Sequence, residues 1–260
     1  MSKVWQRSRQ KPLSSNWPEG VGRVILPEID STNAEAARRA GTLSGPVWIL
    51  AHRQTKGRGR RGRAWSDPVG NFAASYVSRP GGPPDQAALR SFVAALALDE
   101  ALVAVTGRPD SFAIKWPNDV LLHGGKLAGI LLESVGQNAQ VTHLAIGIGV
   151  NLQHAPEPEE GAVAPVSLMA ETGVQITPEE FLDVLAPAYA RWDQQLSTFG
   201  FGPIRQAWLA RAARLGQPII ARTVTQSYEG TFVGIDDSGA LLLQMPQELR
   251  AIPAAEVYFS

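Results

Sequence analysis

The sequence contains no cysteine among its 260 residues, so disulfides, thiolate metal ligands and cysteine nucleophiles are excluded. Its four histidines show no metal-ligand spacing. No apolar run approaches the roughly 18 residues that span a membrane, and residues 1–20 lack the apolar core of a secretory signal. These absences predict a cytoplasmic protein with no protein-bound metal cluster, in which residues 1–22 form a disordered extension.

Net charge is absent as well, because 24 basic residues balance 24 acidic ones, which argues against a general binder of polyanions. The charge is unevenly distributed, however. Between Ala36 and Ser66 there are eight Arg or Lys and no acid, and the densest part is QTKGRGRRGRAW at residues 54–65, called the basic loop below. A neutral chain with one strongly basic segment suits a small anionic ligand in a pocket better than a long nucleic-acid backbone.

The order of apolar patterns predicts an α+β domain followed by a small β-barrel domain. Helical periodicity predicts long helices at residues 85–105, 178–197 and 202–215, with strand-like runs before and between them. The final segment consists of short strands joined by Gly, Asp and Ser turns and has no helical period. The predicted domains are therefore residues 23–215 and 216–260.

The basic loop formally matches G-x-G-x-x-G, but Pro68 follows closely and prevents the helix that a dinucleotide fingerprint must open. A P-loop is also excluded, because Lys126 of the Gly-Lys pair is followed by Leu rather than Ser or Thr. Arginines bind phosphate and carboxylate bidentately, and glycines let backbone amides approach the same oxygens. The loop alone favours a small anionic ligand and leaves open nucleic acid or a merely solvated surface.

Further motifs flank the basic loop. They are Ser-Thr-Asn at residues 31–33, KWPNDV at 115–120, KLAGIL at 126–131 and GIGVN at 147–151. These motifs, in this order with the basic loop, closely resemble those of the biotin protein ligases, and the resemblance covers the chain from Val24 to its end. Lipoate ligases share the broader fold but lack the arginine-rich loop and the KWPND turn.

The resemblance implies a fold and a reaction. The implied fold is a class II aminoacyl-tRNA synthetase-like mixed sheet with helices, plus a small C-terminal SH3-like β-barrel. Biotin and ATP would be substrates, with Mg²⁺, and biotinyl-5′-AMP would form before biotin passes to a lysine of a biotin carboxyl carrier domain of a carboxylase. Because thirty residues precede Ser31, too few for the DNA-binding domain of some members, no specific DNA binding is expected. An exposed sheet edge could pair two copies into a homodimer.

The residue types suit this chemistry independently of the resemblance. A carboxylate that attacks a polyphosphate brings two anions together, and cations lower that repulsion and stabilise the transition state. Because the nucleophile is already ionised, the first step requires no general base. The lack of a His, Ser and Asp constellation is consistent with this.

The resemblance also implies particular site residues. Lys126, Arg58, Arg60 and Asp119 are expected to be catalytic. The residues expected to bind biotin or the nucleotide are Ser31, Thr32, Asn33, Gln54, Gly57, Arg58, Gly59, Arg60, Arg61, Arg63, Trp65, Asn118, Lys126, Gly129 and Asn151.

Ser31, Thr32 and Gln54 would hydrogen-bond the neutral ureido ring of biotin. Arg58 would lie beside the biotin carboxyl group. Lys126 would bridge that carboxyl group and the α-phosphate.

Other members of the basic loop would hold the adenylate as the loop folds over it. Arg60, Arg61 and Arg63 would clamp the phosphates, and Trp65 would pack near the adenine. Gly129 would permit close backbone approach to biotin.

Asn118 and Asn151 would contact the nucleotide, and Asp119 would support the metal or the incoming lysine. Structural alternatives stay open at this stage. Asp119 could merely cap its turn, Lys115 could be structural, and the two tryptophans of these motifs could be core aromatics.

Three functions are consistent with the sequence. The first is a biotin ligase, and the second is a lipoate or octanoyl transfer enzyme of the same broad fold. The third is a non-enzymatic module whose basic loop grips nucleic acid, which would leave Lys126 and the KWPND turn without a role.

Overall fold

A seven-stranded mixed sheet organises the larger part of the computed structural model, which describes residues 16–137, 140–158 and 163–259. The first two strands are parallel and all other neighbours are antiparallel. In spatial order the strands are β1 (Gly22–Leu26), β2 (Val47–Ala51), β3 (Phe72–Ser78), β7 (Gln140–Val150), β6 (Gly125–Gln137), β5 (Asp119–Leu122) and β4 (Phe112–Lys115).

Six α-helices accompany the strands in the described residues. The helix α3 has the sequence RSFVAALALDEALVAVT, which is apolar on nearly every side, and it is correspondingly buried against α5. The helices are α1 (Thr32–Arg39), α2 (Pro84–Ala88), α3 (Arg90–Thr106), α4 (Leu168–Thr172), α5 (Pro178–Phe199) and α6 (Phe201–Ala210).

The predicted helices needed correction at their ends. The helix predicted over residues 85–105 is divided at Leu89 into α2 and α3. The helix predicted to reach residue 215 ends at Ala210, because a turn leads to Gly216, whose positive φ of 76° favours glycine. No described helix has the length and apolar character needed to cross a membrane.

The C-terminal part forms a second, five-stranded antiparallel sheet. Its edge strands do not pair with each other in the described residues, so hydrogen bonds do not close the sheet into a barrel. In spatial order the strands are β11 (Leu249–Ile252), β10 (Leu241–Gln244), β9 (Ser227–Ile235), β8 (Pro218–Arg222) and β12 (Glu256–Phe259).

The two parts share one hydrophobic core. Trp208 of α6 contacts Phe92 of α3 and Phe232 of β9, with ring centroids 5.5 and 6.5 Å apart. The indole of Trp116 donates to the carbonyl of Gly239 at 3.1 Å, which ties the KWPND turn to the C-terminal sheet. The C-terminal part is therefore packed against the end of the main sheet that carries the sequence motifs.

The predicted N-terminal extension lies largely outside the described residues, which begin at residue 16. Trp17 packs against the main core, and its indole donates to the carbonyl of Val21 at 2.7 Å. The next residue, Gly22, begins β1. The predicted domain boundaries stay predictions.

Candidate functional site

A cavity of about 770 Å³ opens where the motifs converge. Its walls come from the start of α1, the basic loop between β2 and β3, the turn between β4 and β5, the paired strands β6 and β7, and β12 of the C-terminal sheet. All the predicted site residues line it except Gly57 and Arg61. The volume suits a small organic ligand rather than an ion alone.

One end of the cavity is uncharged and closely hydrogen-bonded. Ser31 caps α1, and its hydroxyl accepts the backbone N–H of Ala34 at 3.5 Å. Gln54 Oε1 accepts hydrogen bonds from the backbone nitrogen of Thr32 at 2.8 Å and from Thr32 Oγ1 at 3.2 Å. Ser75 Oγ lies 2.8 Å from Thr32 Oγ1 and 2.6 Å from Asn33 Oδ1. These side chains hold one another in fixed orientations.

Two residues that the sequence reasoning missed complete this network. Ser75 lies in the apolar strand FAASYVS and is fully buried, so a lone hydroxyl inside an apolar run was its only signal. Asp67 follows the basic loop, and its Oδ2 accepts the backbone N–H of Gln54 at 2.9 Å. Burial raises the pKa of Asp67 to about 6. This carboxyl joins the two ends of the basic loop beneath the uncharged end.

The floor of the cavity consists of glycines on two adjacent strands. Gly129 of β6 lies opposite Gly149 of β7. A Cβ at Gly149 would lie 2.5 Å from Cε2 of Trp65, and one at Gly147 would lie 2.6 Å from Oδ1 of Asn33. The glycines therefore let the Trp65 ring and the Asn33 amide lie directly on the sheet.

The basic loop adopts a compact hairpin-like form over this floor. The backbone nitrogen of Gly59 donates to the carbonyl of Arg63 at 2.8 Å, and that of Trp65 donates to the carbonyl of Gly57 at 3.0 Å. A Cβ at Gly57 would lie 2.7 Å from the Trp65 carbonyl oxygen, so glycine is needed for this close approach. Gly57 thus shapes the loop from outside the cavity lining.

The arginines of the loop are held by groups on other elements. Arg58 Nη2 lies 3.5 Å from Oε1 of Glu133, a β6 residue that the sequence reasoning missed. Arg60 Nη1 donates to Asn118 Oδ1 and to the carbonyl of Ala255, both at 3.4 Å. Burial, followed by the charge of the adjacent Arg61, lowers the pKa of Arg60, but a guanidinium stays protonated in proteins. The loop thus brings positive charge to the second end of the cavity.

Two lysines meet one carboxylate between the two ends. Lys126 Nζ lies 2.8 Å from Asp119 Oδ1, and Lys115 Nζ lies 4.0 Å from Asp119 Oδ2. Burial is the first cause that lowers the pKa of Lys115. Lys126 Nζ is also 5.9 Å from the Trp65 ring centroid. Asp119 therefore does more than cap its turn, and Lys115 lines the cavity.

The two asparagines of the motifs face this region. Asn118 Nδ2 donates to the carbonyl of Ile130 at 2.6 Å, and Asn151 Nδ2 donates to the carbonyl of Val166 at 3.1 Å. Asn151 Oδ1 is buried without a hydrogen-bond partner in the described residues. Trp116, at 3% exposure, is a core aromatic, as the alternative had it, and it also lines the cavity.

The donor set of the site does not form a metal cage. The described residues contain no cluster of three or more His, Cys, Asp or Glu side chains suited to an ion. In the described residues the carboxylates that line the cavity are Asp119, Glu157 and Glu256, which come from three different parts of the chain. This set fits Mg²⁺ only in the way that nucleotide-dependent enzymes hold it, chiefly through substrate phosphates with one or two carboxylates.

Comparison of the sequence with known protein families and proteins gives matches that all belong to the same group of ligases. Residues 22–151 match the model of the biotin/lipoate A/B protein ligase family, and residues 215–260 match that of the biotin protein ligase C terminal domain. The chain is 60% identical, over 90% of its length and 99% of the relative, to the biotin–[acetyl-CoA-carboxylase] ligase of Paracoccus denitrificans. It is 30% identical to the bifunctional ligase/repressor BirA of Escherichia coli, over 92% of this chain and 74% of the relative.

Solved structures show the same architecture. The biotin protein ligase from Aquifex aeolicus in complex with biotin and ATP superposes with a TM-score of 0.76 at 26% identity, over 91% of this chain and 97% of that one. The ligase from Leishmania major in complex with biotinyl-5-AMP superposes with a TM-score of 0.64 at 20% identity, over 90% and 99% of the two chains, and so supports the fold alone.

Proposed function

Because the chain belongs to the biotin/lipoate A/B protein ligase family, we propose that it uses ATP to attach biotin to a lysine of a carboxylase carrier domain. Its activity is that of a biotin–[acetyl-CoA-carboxylase] ligase. The observation that carries the mechanism is that one cavity joins an uncharged, hydrogen-bonding end to a cationic end, with Lys126 between them. Biotin has the matching form, since a neutral ureido ring is linked to a carboxylate.

The uncharged end binds the ureido ring. Thr32, Asn33 and Gln54 offer amide and hydroxyl groups whose orientations are already fixed, because Ser75 bonds Thr32 and Asn33, and Thr32 bonds Gln54. A ring whose N–H and C=O groups pair with these side chains loses little free energy on leaving water, whereas an apolar ring leaves the buried polar groups of the protein unpaired. This end therefore selects biotin over lipoate.

The first step takes place beside Lys126. A biotin carboxylate oxygen attacks the α-phosphorus of ATP, a carboxyl–phosphate bond forms, and the bond from the α-phosphorus to the leaving pyrophosphate breaks. Lys126, Arg58 and Arg60 reduce the repulsion between the two anions and stabilise the charge of the transition state. No proton transfer is required, which agrees with the composition of the site.

The second step transfers biotin to the carrier domain. The neutral amine of the acceptor lysine attacks the carboxyl carbon of the adenylate, an amide bond forms, AMP leaves with the bonding electron pair, and the amine proton passes to solvent. Asp119 lies beside Lys126, so its carboxylate can accept a hydrogen bond from the N–H of the incoming amine. We assign Asp119 to holding the incoming lysine.

The nucleotide occupies the cationic end. Asn118 and Asn151 contact it through amide groups, and the unpartnered Oδ1 of Asn151 supports this assignment. Arg60 and Arg63 face the phosphates, and Trp65 covers the bound intermediate. Bound Mg²⁺ would neutralise phosphate charge during the first step, with Asp119 as its protein ligand before the carrier lysine arrives.

The domain and partner assignments complete the proposal. Residues 23–215 carry the biotin and ATP site, and residues 216–260 form the SH3-like domain that closes its phosphate end. A homodimer through the edge of β1, which pairs only with β2 in the described residues, stays a prediction. The same holds for a cytoplasmic location and for the lack of specific DNA binding.

The function is tested by biotin-dependent exchange of pyrophosphate into ATP. The native protein should exchange with biotin and not with lipoate. Lys126→Ala should lower the rate by about 10²- to 10³-fold, the usual loss when one group that stabilises developing charge is removed. Lys56→Ala is the matched control, because Lys56 belongs to the basic loop but does not line the cavity.

The outcomes separate the candidate functions. Exchange that requires biotin and is lost only in Lys126→Ala supports adenylate formation at this site. Exchange with lipoate instead of biotin would assign the chain to lipoate chemistry, and exchange with neither would refute the proposal.

A further inference from the structure

The last strand of the C-terminal sheet forms one wall of the cavity. Residues 256–259 of β12 all line it. Glu256 is the acidic residue of this strand, and its side chain is only 18% exposed. Tyr258 donates from its hydroxyl to Glu256 Oε2 at 2.8 Å, which fixes the carboxylate in place. A fixed anion therefore lies within the end of the cavity that is otherwise cationic.

This carboxylate binds two arginines of the basic loop. Glu256 Oε1 lies 2.5 Å from Arg63 Nη2 and 3.5 Å from Arg61 Nη1. Arg61 is absent from the cavity lining and has a left-handed backbone with φ of 57°, which is uncommon for a residue other than glycine. In this structure Arg61 contacts Glu256 from outside the cavity lining, and the phosphate contact that the resemblance implies for it stays a prediction.

The charge on Glu256 persists at neutral pH. Burial alone would raise the pKa of Glu256, but hydrogen bonds from Tyr258 and Arg63 and the nearby positive charges outweigh burial and lower it. An ionised carboxylate in this position attracts the arginines and repels a phosphate that approaches the same wall.

We propose that Glu256 is an internal counter-anion that competes with the nucleotide phosphates for Arg61 and Arg63, and thereby limits the affinity of the site for ATP. The inference rests on the proposed function for the identity of the ligand. The ion pairs themselves do not depend on it. When the polyphosphate arrives, the two arginines exchange a carboxylate for phosphate oxygens, and after the phosphates leave, Glu256 takes the arginines back. The alternative role, in which Glu256 aims the arginines at the phosphates, predicts the opposite effect on affinity.

The test compares Glu256→Gln with the native protein and with Glu248→Gln. Glu248 lies in the turn between β10 and β11 of the C-terminal sheet and pairs with an arginine, Arg250, but it does not line the cavity. Binding of a non-hydrolysable ATP analogue, measured by calorimetry with biotin present, should become about three- to tenfold tighter in Glu256→Gln, as expected for removal of one partly screened like charge. Glu248→Gln should bind as the native protein does.

A second measurement needs no ligand. Trypsin should cut the basic loop of ligand-free Glu256→Gln several-fold faster than that of the native protein, because Arg61 and Arg63 no longer form ion pairs with residue 256. Tyr258→Phe, which keeps the carboxylate but removes its hydroxyl donor, should shift both readouts in the same direction by a smaller factor.

The outcomes distinguish this inference from the proposed function. Unchanged or weaker ATP binding in Glu256→Gln would overturn it, and unchanged cleavage of the ligand-free loop would overturn the ion pairs on which it stands. If the native protein bound no nucleotide but the loop of Glu256→Gln was cut faster, the proposed function would fail while the ion pairs remained.

Discussion

The two ends of the cavity are held in place by different means. At the uncharged end Ser31, Thr32 and Asn33 are at most 5% exposed and are held by hydrogen bonds, including one from Asn33 Nδ2 to Oε2 of Glu133 at 2.8 Å. At the cationic end the side chains of Arg58 and Arg63 are 48% and 56% exposed and form ion pairs with Glu133 and Glu256. One end is preorganised by hydrogen bonds, and the other is balanced by ion pairs that an anionic ligand can replace.

The difference corresponds to what each ligand part must do. The ureido ring stays bound through both steps, so a fixed network that rejects unmatched rings is suitable there. Pyrophosphate and AMP must leave, and exposed arginines with alternative acidic partners release them without leaving bare positive charge. Fixed groups therefore provide selectivity at one end, and exchangeable partners permit turnover at the other.

The largest effect is expected from a substitution in the glycine floor, which the two ends of the cavity share. Gly149→Ala would place a methyl group 2.5 Å from Trp65 Cε2 and force the ring and the basic loop away from the sheet. Overpacking of this kind costs about 1–3 kcal/mol, so biotin-dependent pyrophosphate exchange should fall by about ten- to a hundredfold.

Gly202→Ala is the matched control, because a Cβ at Gly202 meets nothing within 4 Å. Its exchange rate should equal that of the native protein. If Gly149→Ala kept its full rate while remaining folded, Trp65 would not need its place on the floor, and the two ends would be independent.

A smaller effect is expected when the hydroxyl of Ser75, which supports the hydrogen-bond network of the uncharged end, is removed. Ser75→Ala leaves Thr32 Oγ1 and Asn33 Oδ1 without the hydroxyl that joins them. A buried polar group without a partner costs about 1–3 kcal/mol, part of which is recovered by water. We therefore expect the KM for biotin to rise by about tenfold with little change in kcat or in the KM for ATP.

Steady-state kinetics of carrier biotinylation measure this split. Ser78→Ala, in the same strand but outside the cavity lining, should leave all three constants unchanged. An equal rise in both KM values would mean that Ser75 supports the fold of the site rather than the biotin end.

Much of the site was predictable because its residues occur in contiguous motifs. The basic loop, the KWPND turn and the glycines of β6 and β7 each combine residue types that an ordinary loop or strand has little use for. The α+β order and the separate C-terminal strands followed from the apolar patterns, whereas the mixed sheet was implied by the resemblance. The helix ends at Leu89 and Ala210 did not, because turn geometry rather than apolar pattern fixes them.

The residues that the sequence did not reveal act across the fold. Ser75 reaches Asn33 over 42 positions, and Arg63 reaches Glu256 over 193. A serine in a strand or a glutamate near the C-terminus has no local signature, because its role arises only when β3 or β12 is placed against the cavity. For the same reason the contact of Arg61 with Glu256, outside the cavity lining, had no signal in the sequence.

The smallest predicted effect is a difference in salt dependence between a ligand of the cationic end and a ligand of the uncharged end. Exposed ion pairs weaken as the Debye length falls below about 10 Å at ionic strengths above 0.1 M, whereas buried hydrogen bonds between neutral groups are almost insensitive to it. Raising KCl from about 50 to 500 mM should weaken binding of a non-hydrolysable ATP analogue by about threefold. Binding of biotinol, which keeps the ureido ring but carries no carboxylate, should change by less than about twofold, because its contacts are uncharged.

Calorimetry on the native protein measures both binding constants, with sucrose of equal osmolality as the control for general solvent effects. Equal salt dependence of the two ligands would contradict the division, since charge would then contribute to the end that holds the ring. A still weaker dependence for ATP would mean that Arg58 and Arg63 exchange one set of charged partners for another with no net change in screened charge.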